Sequence, residues 1–257
     1  MELTDQQRTE WKERGCLHLR GFFDPSDLVA WTEELEAWPE TAGRWMKYFE
    51  QSVDGSDPRM LCRVENFLEY HEGWRGVLAD PGLLRVLEQL FGEPAALFKE
   101  KINYKQAGGS GFTAHQDAPA FAAFGQDFHI TAMVSIDASH EGNGCLEMAL
   151  GRHEVGLLEM DESQSLAEKA IAQERWEAVP TAPGDLLLFG SFLPHRSGPN
   201  RSDSSRRAAY LTYNGVSQGL RRDAYYADKR RVFPPEIERE AGKDYSDTGL
   251  YNIGNPI

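Results

Sequence analysis

A chain of 257 residues and 29.0 kDa, 40% hydrophobic and 11% aromatic, can bury a full core and is not a disordered protein. Its net charge of −14 argues against nucleic acid or an anionic membrane as a main partner, since both demand a basic footprint. Cys16, Cys62 and Cys145 form no disulfide framework or CxxC zinc site, the first residues lack a signal-peptide pattern, and no run approaches the ~18 apolar residues of a membrane span, so a cytoplasmic location is expected.

Thr4 with Gln7 three residues on reads as a capping box for a helix running to about Arg14, where Gly15 supplies the stop. A short strand over Cys16 to Arg20 follows. Asp24-Pro25 reads as a cap with proline at the first helical position, and Leu28, Trp31, Leu35 and Trp38 recur on one helical face. Residues 39–58, with Pro39, Gly43, Gly55 and Pro58, read as a loop. Met60 to Tyr70, containing Arg63, reads as a strand or irregular segment, and Pro81 to Phe91 as a helix with Leu83, Leu84, Leu87 and Leu90 inward.

From Ala95 the period changes to two, and Leu97 to Lys105 alternates as a half-buried strand whose lysines would ordinarily face solvent. Gly108-Gly109-Ser110-Gly111 breaks it. Next comes Phe112-Thr113-Ala114-His115-Gln116-Asp117. On an extended strand His115 and Asp117 project to one side, so a single cation can take both. Alone, such a pair is more readily a solvated surface strand. With a second imidazole it becomes the 2-His-1-carboxylate triad of non-haem Fe(II) sites, and His195 is the candidate. Phe128 to Asp137, Cys145 to Ala149, Trp176 to Val179, Asp185 to Phe189 and Arg206 to Tyr213 read as further strands. Asn143-Gly144 reads as a turn and Ser165 to Gln173 as a short helix.

Helices followed by about eight short strands imply a mainly β fold with flanking helices, a double-stranded β-helix (jelly roll, cupin-like), because a parallel α/β fold would need helices between its strands. The expected organisation is a single domain over 1–257, with a helical part at about 1–94, a jelly-roll core at about 95–215 and a C-terminal extension at 216–257 that can cover the mouth. The decisive stretch runs from Gly184 through His195-Arg196-Ser197-Gly198-Pro199-Asn200 to Arg206-Arg207. A turn at Gly198-Pro199-Asn200 returns the chain, and neighbouring antiparallel strands would bring Arg206, eleven residues after His195, into the same pocket. Arginine's fixed fork grips a carboxylate bidentately, so the pair suits a dicarboxylate held by metal at one end and arginine at the other.

These motifs, with Asn143-Gly144-Cys145-Leu146 and Gly151-Arg152-His153, resemble the phytanoyl-CoA dioxygenase family of Fe(II)/2-oxoglutarate oxygenases over about residues 10 to 215. The resemblance implies that His115, Asp117 and His195 are the iron ligands, that Arg206 holds the distal carboxylate of 2-oxoglutarate and that Ser197 supplies a hydroxyl beside it. It also puts Arg63 near the co-substrate, Lys101 on the strand that lines it, and Met133 where a tryptophan is common; His153 reads as a turn residue. The implied cofactors are Fe(II), 2-oxoglutarate and O₂, and the implied reaction is hydroxylation with release of succinate and CO₂. Because related halogenases lack the carboxylate, Asp117 favours hydroxylation.

The expected partner is a small polar metabolite, with neither nucleic acid nor membrane, and no oligomeric state is specified. Within the family, the resemblance suggests the 2-aminoethylphosphonate dioxygenases as the substrate reading. Two alternatives stand beside the oxygenase: a non-catalytic metal-binding jelly roll, which has no need of Arg206, and a zinc hydrolase, which would use the same ligands without O₂.

Overall fold

The computed structural model of the protein describes residues 1–245 and 249–254. Helix α1 (Asp5–Arg14) starts on the reciprocal Thr4–Gln7 bonds of a capping box and stops at Gly15, whose φ is 73°. Helices α2 (Pro25–Ala37) and α4 (Pro81–Phe91) each begin with a capping aspartate followed by proline, which has no N–H to leave unpaired. Between them lies α3 (Glu72–Leu78), capped by the His71 ring and too short to announce itself by periodicity.

The strands form two antiparallel sheets. The larger has the order β1 (Cys16–Leu19), β9 (Leu186–Gly190), β6 (His129–Ser135), β11 (Arg206–Gly215), β4 (Ala95–Lys105), β3 (Met60–Glu65) and β2 (Met46–Glu50). The smaller has the order β5 (Phe112–His115), β10 (His195–Ser197), β7 (Leu146–Met148) and β8 (Glu177–Val179). This is the expected jelly roll. Alternate residues of β9 show its layers: Leu186 and Leu188 join the main core with Leu28, Leu35, Leu83 and Leu87 of the helices, while Leu187 and Phe189 pack on the other face with Leu146 and Met148. Among the described residues no helix is long and apolar enough to cross a membrane.

Three expectations are corrected. Residues 39–58 are not wholly loop, because Met46–Glu50 pairs with β3, and Lys47 is buried with its ammonium donating to the Glu36 and Trp38 carbonyls. The helix expected over 165–173 shortens to α5 (Glu168–Ile171). The C-terminal extension instead contains an unexpected helix, α6 (Arg222–Val232), since its inward face is Tyr225, Tyr226 and Lys229 in place of an aliphatic stripe.

Helix α6 is fastened to β4 by charge. Glu100, fully buried, accepts 2.6 and 2.9 Å bonds from Arg222 Nη2 and Nε and a 3.0 Å bond from the Leu68 amide. Burial pushes the Glu100 carboxyl up, and the Arg222 guanidinium opposes that push. Removing one partner of such a pair leaves an uncompensated charge. Arg222→Met is therefore expected to cost about 3–5 kcal/mol in urea unfolding, against the ~1 kcal/mol or less of an exposed ion pair.

Candidate metal centre and cavity

His115 ends β5 and His195 begins β10, and the two are direct partners in the antiparallel register. Directly opposed side chains share a face, so the pairing sets their ring centroids 4.2 Å apart. Asp117 arrives differently from expectation. The strand stops at His115, and Asp117, at φ −75° and ψ −28°, begins a 3₁₀ turn over Ala118–Ala120 that swings its carboxylate beside the imidazoles. One potential ligand atom from each of His115, Asp117 and His195 lies within 4.8 Å of the others.

Backbone carbonyls orient both rings. His115 Nδ1 donates to Thr113 O at 2.7 Å and His195 Nδ1 to Leu193 O at 2.9 Å, so each presents Nε2 as the free lone pair. Burial and the neighbouring His195 push His115 down to about 3, which keeps it neutral. Burial would raise Asp117, but His195, Lys99, His115 and Lys101 outweigh it and hold the carboxylate at about 2. A neutral His115 imidazole and an ionised Asp117 carboxylate are forms a divalent metal needs. The donor set fits a facial triad. The C-terminal segment seals the far side: the Thr113 amide donates to Gly254 O at 2.8 Å, and a Cβ on Gly254 would come within 2.5 Å of His115 Nδ1.

The triad opens into a cavity lined by both sheets. The lysines of β4 face this cavity's side of the sheet, not solvent. Lys99, Lys101 and Asn103 line it, opposite Thr212, Tyr210 and Ala208 of β11. Ser197 lines it too. Thr131, Tyr210, Thr212, Asn103 and Phe112 also line it and carry no motif by which sequence could single them out.

Other expected residues stand behind the lining. Arg206 is buried on β11, across from Lys105; its Nη2 donates to Gly144 O, while its Nε–H has no partner. Gly144, at φ 72°, lets the Gly198 carbonyl come close beside it, since a Cβ there would lie 2.2 Å from Gly198 O. His195 and Arg206 are not on neighbouring strands: β10 and β11 belong to opposite sheets. Arg63 pairs with Glu65 at 3.4 Å and reaches Asn252 at 3.5 Å, and in register it lies beside Asn103 of the cavity lining. Met133 packs with Leu187 and Phe189 in the core between the sheets, and its register partner is Tyr210 of the lining. His153 packs against Gly15, away from the triad.

A jelly roll enclosing a buried triad of two histidines and a carboxylate defines the non-haem oxygenase class of fold and site. Residues 11–208 match the family described as phytanoyl-CoA dioxygenase, and the chain belongs to that family. It is 52% identical over 258 residues to the 2-aminoethylphosphonate dioxygenase of uncultured bacterium HF130_AEPn_1, covering 99% of this chain and 98% of that one. It is 42% identical over 234 residues to the methylphosphonate hydroxylase of Gimesia maris, covering 90% and 88%. The solved structure of EctD from S. alaskensis with 2-oxoglutarate and 5-hydroxyectoine shares the fold at a TM-score of 0.70 and 20% identity, covering 85% of this chain and 78% of that one.

The site predicts one tightly held divalent ion per chain. In Mn(II) titrations followed by calorimetry, His195→Ala is expected to weaken binding by more than the roughly 10–100-fold seen when a residue merely supports a ligand. Met133→Leu is expected to leave the titration unchanged.

Proposed function

We propose that the protein is an Fe(II)- and 2-oxoglutarate-dependent dioxygenase that hydroxylates a small phosphonate, 2-aminoethylphosphonate first among candidates, in a single cytoplasmic domain. The observation that carries this reading is one cavity containing both the His115–Asp117–His195 triad and the ammonium-bearing face of β4. The names of the two phosphonate-acting relatives support the substrate class. The three free cysteines, all buried, support a reducing compartment.

The balanced reaction converts substrate, 2-oxoglutarate and O₂ to hydroxylated product, succinate and CO₂. Iron, when bound by His115, Asp117 and His195, supplies the redox chemistry that couples decarboxylation of the co-substrate to attack on a C–H bond. The protein's share is binding, orientation and exclusion of water. Backbone carbonyls hold both imidazoles in one tautomer, and the Thr131 hydroxyl steadies Asp117 Oδ2 at 3.5 Å. The unpartnered Nε–H of Arg206, with Ser197 and Lys105 beside it, suits the distal carboxylate of 2-oxoglutarate. A non-catalytic metal protein or a zinc hydrolase would have no use for that buried guanidinium.

Reconstitution with Fe(II), 2-oxoglutarate and 2-aminoethylphosphonate in air is expected to release succinate in step with substrate loss. Turnover with Zn(II) and without O₂ would replace this reading with the hydrolase. Arg206→Lys is expected to raise the half-saturating 2-oxoglutarate concentration about ten- to a hundredfold, the range for a hydrogen bond to a charged group. Arg207→Lys is expected to be silent, since Arg207 pairs with Asp137 at 2.8 and 2.9 Å on the other face of β11.

A further inference from the structure

Three lysines of β4 face the interior, and their partners differ. The Lys105 ammonium donates to Ser197 Oγ at 2.7 Å and Gly198 O at 2.6 Å, and its register partner is Arg206. Lys105 therefore stands with Arg206 behind the Ser197 end of the cavity, the end assigned above to the 2-oxoglutarate carboxylate. Six residues away, roughly 20 Å along an extended strand, Lys99 stands at the other end. Its register partner is Thr212, whose own partner Thr131 lies beside Asp117. Lys101 falls between them, its ammonium 5.4 Å from the centre of the Tyr210 ring.

Lys99 is buried at 8% exposure, yet its ammonium has no hydrogen bond or ion pair among the described residues. It is held by aromatic faces, 4.6 Å from the centre of Phe121 and 5.5 Å from that of Tyr225. Aromatic faces position a cation without neutralising it. Asp117 is the carboxylate that acts most strongly on it, and a bound metal claims that carboxylate. A desolvated ammonium with no anion of its own is costly unless a ligand supplies one.

We infer that Lys99 binds the phosphonate dianion of the substrate, setting the adjacent carbon toward the metal while 2-oxoglutarate occupies the Lys105–Arg206 end. This inference rests on the phosphonate reading above and adds the residue that selects for it. Lys99 acts on the substrate alone, so its loss separates the two ligands.

The test uses the full-length iron enzyme with 2-aminoethylphosphonate and methylphosphonate. Lys99→Gln is expected to raise the half-saturating concentration of each phosphonate roughly ten- to a hundredfold, while the half-saturating 2-oxoglutarate concentration moves less than about twofold. In Zn(II)-loaded protein, ³¹P line broadening of methylphosphonate by the wild type is expected to vanish in the variant. Wild-type protein gives a second measurement that needs no variant. With 2-oxoglutarate saturating throughout, methylphosphonate is expected to protect Lys99 from acetic anhydride, read by mass spectrometry. Unchanged half-saturation by phosphonate, a loss confined to 2-oxoglutarate, or unprotected Lys99 would overturn the inference while leaving the enzyme a phosphonate dioxygenase. A wild-type protein that neither binds nor oxidises any phosphonate would overturn the substrate reading itself.

Discussion

Everything at the centre depends on one antiparallel pairing, the placement of His195 directly across from His115 between β10 and β5. Opposed residues in such a pair are fixed by register, and a slip of one residue would turn one imidazole to the wrong face. The register is held on both sides: β10 also pairs with β7, and the turn after it is tied down by Lys105 at Gly198 O. Asp117 then needs only a tight turn to complete the triad, which is why the strand can end at His115. The Gly254 carbonyl, bonded to the Thr113 amide, adds a further restraint on the residue two before the ligand.

Charge placement is the second constraint. The inner face of the larger sheet is unusually cationic for a protein of net charge −14. Some of this charge is matched internally: Lys229 meets Glu65 at 2.6 Å, and Arg222 meets Glu100. These pairs lie where α6 docks, so they fasten the C-terminal region over the jelly roll instead of serving chemistry. Burial lowers Lys229 to about 7 despite Glu65, showing how dry that junction is. The unmatched remainder, Lys99 and Lys101, faces the cavity. A single strand, β4, thus divides its polar residues between fastening and binding: Glu100 on one face holds a helix, and the lysines on the other await anions.

The sequence by itself singled out His115, Asp117, His195 and Arg206 as the candidate site residues and placed most of the elements. The His-x-Asp motif, the distant histidine and Arg206 are chemically distinctive at their spacing, while Asp24-Pro25, Asp80-Pro81 and the Gly15 stop are local signals that need no partner. Alternation correctly placed β4 and set Arg206 and Arg207 on opposite faces. Tertiary structure decided what the polar face of β4 looks at, because a period of two tells which residues share a side and not whether that side meets water or a cavity. It also decided that β10 and β11 lie in opposite sheets, that Arg63 pairs with Glu65, and that Met133 belongs to the core between the sheets. Strand β2 and helix α6 were illegible for the same physical reason. Each is stabilised by partners more than a dozen residues away, such as Arg63 for Tyr48 and Glu100 for Arg222, and no local pattern encodes a contact that only folding creates.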